Sequence, residues 1–61
     1  MKFTEITYKY EYKTYTTVER ENDYKKGDVN YEQGVLNRIE SLTRAGAVIT
    51  DVFQHDVREG Q

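Results

Sequence analysis

Between Ile6 and Lys13 the chain alternates strictly, with Ile6, Tyr8, Tyr10 and Tyr12 on one side and Thr7, Lys9, Glu11 and Lys13 on the other. Successive side chains of a strand point to opposite faces of a sheet, so this pattern predicts a half-buried β-strand. The phase then slips, because Tyr15 falls on the formerly polar side while Val18 returns to the other. A bulge or turn near Lys13-Thr14 repairs the mismatch. Neither Asn-Gly, Asp-Gly nor Pro marks a hairpin there. Strands usually run ~3 to 10 residues, which favours two strands, about residues 2–12 and 14–20, over one long bent strand.

Polar residues dominate from position 21 to 30, where Asn22-Asp23 and Lys26-Gly27-Asp28 supply turn chemistry, and the segment reads as a loop. The period then changes. Tyr31, Val35, Leu36, Ile39 and Leu42 recur at helical spacing opposite Glu32, Asn37, Arg38, Glu40, Ser41 and Arg44, which predicts one amphipathic helix over residues 31–45. Asn30 can cap it by accepting from the Gln33 amide while Gln33 reaches back, a weak capping box. Glu40 precedes Arg44 in the favourable order, and Gly46 stands where a left-handed C-terminal residue is wanted. Gly34 costs up to ~1 kcal/mol relative to alanine, so the first turn is expected to fray.

Residues 47–57 read as a closing strand that is apolar on both sides, Ile49 and Phe53 on one and Val48 and Val52 on the other. The expected fold is therefore a single α+β domain in the order β-β-α-β, mainly an antiparallel sheet with the helix on one face. One helix covers one face only. The second apolar side of the closing strand needs another cover, and for so short a chain a second copy is the economical candidate.

Length sharpens that expectation. A chain of 61 residues buries ~6,000 Å² on folding, a hydrophobic gain of order 90 kcal/mol, and ordering it at ~1.5 kcal/mol per residue costs about as much. Without cysteine there is no disulfide, and a single histidine makes a structural zinc site improbable, so oligomerisation is the stabiliser left. The longest apolar run is Ala47-Val48-Ile49, far short of a membrane span, and Met1-Lys2 leads into mixed Thr, Glu and Tyr rather than the apolar stretch of a signal peptide. A cytoplasmic protein without membrane contact is expected.

Candidate chemistry is sparse. Asp51 shares the strand face of His55 but lies ~13 Å away, too far to form a chelate or an acid-base pair, and Asp56 points to the opposite face. Ser41 has no histidine near it in sequence, and the glycines at 27, 34, 46 and 60 form no phosphate loop or dinucleotide fingerprint. No catalytic residue, metal ligand or cofactor site is expected, and the chain is read as non-enzymatic.

The run from Tyr8 to Lys13 invites a nucleic-acid reading, since strand tyrosines can stack bases while lysines neutralise phosphates. Strand geometry sends rings and lysines to opposite faces, and a pI near 5.3 offers no general attraction to phosphate. Nucleic acid is therefore not expected as a partner. Tyr8, Tyr10, Tyr12 and Tyr15 read instead as a wall for the helix or, where exposed, as contacts for another protein. The leading expectation is a small binding protein acting through homo-oligomeric protein contacts, with Val48, Ile49, Val52 and Phe53 at the interface and the Val48-Val52 side favoured. It would serve as a regulator or inhibitor of the accessory kind found in bacteria or their phages, a comparison by general character alone. One alternative is a nucleic-acid-binding module using the Tyr-rich strand. Another sequesters a nucleotide-like ligand, stacked on tyrosine and met by Lys25, Arg38 or Arg44.

Overall fold

A two-residue turn at Glu11-Tyr12 resolves the phase slip. The structure, a computed structural model, describes residues 1–24 and 30–56, and in it β1 (Lys2–Tyr10) and β2 (Lys13–Arg20) form a hairpin closed by the pair Tyr10 and Lys13. Glu11 and Tyr12 have φ of 51° and 69°, the consecutive positive values of a type I′ turn. That turn matches the right-handed twist of the strands but normally recruits Asn and Gly, so the sequence carries no signal for it. The register sets Tyr15 opposite Tyr8 and Val18 opposite Glu5. Tyr15 thus joins the face of Tyr8, and Val18 moves to the other.

A 3-10 turn over Glu21–Tyr24 occupies the start of the expected loop, α1 spans Tyr31–Arg44, and β3 spans Val48–Asp56. The three strands form one antiparallel sheet in the order β2-β1-β3, with β1 central and α1 crossing one face. This is the small β-β-α-β arrangement of the α+β class.

Both ends of α1 are closed by the residues the sequence marks. Asn30 Oδ1 accepts from the Gln33 amide at 2.8 Å, but Gln33 Nε2 donates forward to Asn37 at 2.9 Å instead of reaching back. The capping box is therefore half made. At the other end Gly46 has φ of 98°, and bonds from Ala47 N to Leu42 O and from Gly46 N to Thr43 O complete a Schellman motif.

The register of β3 departs from simple alternation. Partners along β1 step from Asp51 opposite Thr7 to Ile49 opposite Tyr8, leaving Thr50 as a bulge whose hydroxyl donates to Thr7 O at 3.2 Å. One extra residue reverses the faces of everything beyond it. Val52 and Ile49 therefore lie on the helix side, opposite Ile6 and Tyr8, whereas Phe53 and Val48 lie on the open side, opposite Glu5 and Lys9. The expected pairing of Val48 with Val52 on one face is corrected by that bulge.

The core is small. Ile6 is the one fully enclosed large side chain among the described residues, joined by Tyr31 and Ala47, and the polar Thr4 and Glu19 are buried beside them. Thr4 Oγ1 and the Tyr31 hydroxyl hydrogen-bond to each other, which satisfies both in the interior.

Candidate protein interaction surface

The helix is fixed to the sheet by a polar cluster at its β2 side. Glu19, next to last in β2, lies on the helix face, where its Oε1 accepts from Arg38 Nε at 2.6 Å and its Oε2 from the Tyr24 hydroxyl at 2.8 Å. Its side chain is only 9% exposed, against 51% for Arg38, so the carboxylate is the buried member of the pair. The bond from Tyr24 to Glu19, helped by desolvation, raises the Tyr24 pKa, since a phenolate there would face a carboxylate. The same carboxylate raises the pKa of Arg38.

Tyr24 reaches Glu19 by passing close over Gly34. A Cβ built on that glycine would fall under 3.0 Å from Cε1, Cζ and the hydroxyl oxygen of Tyr24, and the ring also meets Tyr31 edge-on at 6.1 Å. Gly34 is buried, so the residue expected to loosen the first turn is the seat on which the 3-10 segment rests. Sequence reading missed Glu19, Tyr24 and Gly34. Tyr31, Gly34 and Arg38 do share one helical stripe by their spacing, which was a usable signal.

The residues proposed from sequence scatter. Tyr8 and Tyr15 stack at 5.4 Å on the helix face, Tyr10 lies next to Gly46, and Tyr12 projects fully into solvent from the turn. Arg38 is engaged by Glu19, and Arg44 pairs with Glu40 one helical turn away. Lys25, with the 26–28 turn and the 58–61 tail, lies outside the described residues. Arg38 lies within electrostatic reach of Tyr8 while held by Glu19, whereas Arg44 is taken up by Glu40.

His55 sits on the open face between Phe3, stacked at 4.5 Å, and Phe53 at 4.4 Å. Its Nε2 is enclosed without a hydrogen bond, 3.7 Å from Glu5 Oε1. Among the described residues no group of three His, Cys, Asp or Glu side chains gathers to hold a metal, and no helix is long and apolar enough to cross a membrane.

What the fold does gather is an apolar band around β3. Phe53 is 54% exposed and Val48 63% on the open side, while Val52 is 45% and Leu36 59% exposed on the helix side. Val52 and Leu36 line a shallow groove with Tyr31 and Val35, running along the edge of the sheet. The chain matches no family model, no curated protein and no solved structure, so its own residues carry the functional reading.

Proposed function

We propose that this chain is a non-enzymatic binding protein that works through protein-protein contact, first of all with a second copy of itself. One observation carries the reading. More large apolar side chains stand exposed around β3, namely Leu36, Val48, Val52 and Phe53, than are enclosed in the core formed by Ile6, Tyr31 and Ala47. Exposed apolar side chains bordering one sheet edge on both of its faces, and outnumbering the core, point to an interaction site, and burying them supplies stability that so small a core lacks. A regulator or inhibitor that acts by occupying another protein would use the same surface.

The test is a concentration series of thermal melts on the parent and on the double variant Val48→Thr, Val52→Thr. The parent melting temperature should rise with protein concentration, as mass action requires of a dimer, and the double variant should lose most of that rise. Melting that ignores concentration in the parent would count against the proposal.

A further inference from the structure

The exposed apolar residues flank an edge, and the two edges of the sheet differ. β2 carries Lys13, Glu19 and Arg20 among threonines, whereas β3 has neither Pro, Lys nor Arg between Val48 and Asp56. Lysine and proline are among the means of keeping an edge strand from pairing, and beyond the Thr50 bulge β3 has neither. Stacking the open face on another copy would bury Glu5, Lys9, Arg20 and Asp51 and leave Leu36 and Val52 in water. Pairing along β3 covers apolar residues on both faces at once.

The charges on β3 select a register. In a two-fold antiparallel pair centred on residue n, positions n−2 and n+2 face each other. Centring on Asp51 opposes two carboxylates, centring on Val52 sets Asp51 against Phe53, and centring on Gln54 sets Val52 against Asp56. Centring on Phe53 alone gives Phe53 its own ring as partner and brings Asp51 opposite His55 on the same face, twice per dimer. This register also uses the straight part of β3 beyond the Thr50 bulge.

Resting on the self-association reading above, we propose that two chains pair antiparallel along β3 about a two-fold axis at Phe53, so that Asp51 of each chain meets the partner's His55 and the two sheets become one. Both helices then lie on the same side of the joined sheet, with Leu36 and Val52 of each chain turned toward the dyad.

The chain has no cysteine, so a single introduced one is the only thiol. Phe53→Cys should oxidise to a disulfide-linked dimer, because self-paired Cα atoms ~5 Å apart suit a disulfide. Val52→Cys should not link, since its two copies would be displaced by two positions and lie beyond the ~7 Å limit. As a second measurement that leaves Phe53 intact, Asp51→Lys should weaken the dimer about tenfold, because the carboxylate that faces the partner's His55 is lost twice per dimer. The control Asp56→Lys, opposite Thr50 in this register, should stay within about threefold. The charged groups already facing His55 are Glu5 from β1 and, further across the face, Arg20 from β2, and both variants keep them.

Linking at Val52 but not at Phe53, or an Asp51→Lys dimer as tight as the parent, would overturn the register while self-association stands. Sedimentation of the unmodified chain as a monomer would overturn both.

Discussion

Replacing Gly34 by alanine should destabilise this protein, although alanine is the better helix former by ~1 kcal/mol. The glycine lies in the first half of α1, has no positive φ, and by local propensity alone the substitution ought to help. The obstacle is Tyr24, whose Cε1, Cζ and hydroxyl oxygen would lie under 3.0 Å from the new methyl group. The ring must leave. With it goes the bond from the Tyr24 hydroxyl to Glu19, a hydrogen bond to a charged group worth ~1.5–3 kcal/mol. The edge-on contact with Tyr31 adds ~0.5–1.5 kcal/mol to the loss.

Set against the propensity gain, the net cost is about 1–3.5 kcal/mol. Urea unfolding at one fixed protein concentration reads it directly, since under the proposed self-association stability would depend on concentration. The background Tyr24→Ala isolates the cause, because with the ring gone Gly34→Ala should stabilise by up to ~1 kcal/mol. A stabilising Gly34→Ala in the parent, or the same effect in both backgrounds, would refute the idea that Tyr24 needs that glycine.

Three further outcomes follow from the local geometry. Tyr12→Gly should stabilise by about 1 kcal/mol, because it relieves a left-handed residue whose ring is in solvent; lower stability in urea would mean that the ring has a role in the fold. Glu19→Gln should cost ~1–3 kcal/mol, since a neutral amide loses the charge that strengthens the bonds from Arg38 and Tyr24 to the two carboxylate oxygens, and an unchanged urea midpoint would contradict it. The folded state holds the Tyr24 proton more tightly than the unfolded chain, where it leaves near the ordinary value of 10.0. Its contribution is therefore complete below that pH and lost as pH rises through the higher folded value, so Tyr24→Phe should decline less steeply above pH ~10 than the parent, and equal slopes would contradict this.

The elements were legible because each rests on a period the chain keeps for two or three turns of its pattern. The alternation from Ile6 survives into β1 as far as Tyr10, short of the expected end at residue 12 because Glu11 and Tyr12 form the turn, and the stripe from Tyr31 to Leu42 survives into α1. The Asn30 and Gly46 caps were readable for the same local reason. What sequence could not give was anything decided by a partner distant along the chain. The hairpin turn uses Glu11 and Tyr12, residues without a left-handed preference, so the twist of the paired strands and not local chemistry selects it. The Thr50 bulge inserts no glycine, yet it alone sends Val48 and Val52 to opposite faces. Glu19 reads as the polar end of a strand until the hairpin register puts it on the helix face, where Arg38 arrives from 19 residues away.

The same limit shaped the site. Residues 48, 49, 52 and 53 were readable as an apolar segment needing cover, but whether a face or an edge meets the partner depends on which strand lies outermost, a matter of topology. With β3 at the edge, its apolar residues border both faces and Leu36 extends the band onto the helix.

Sedimentation equilibrium from about 10 to several hundred micromolar tests the central claim, that a second copy completes this fold. The mass should climb from 7.2 kDa toward twice that value as concentration rises. A mass that stays at 7.2 kDa over the whole range would contradict it.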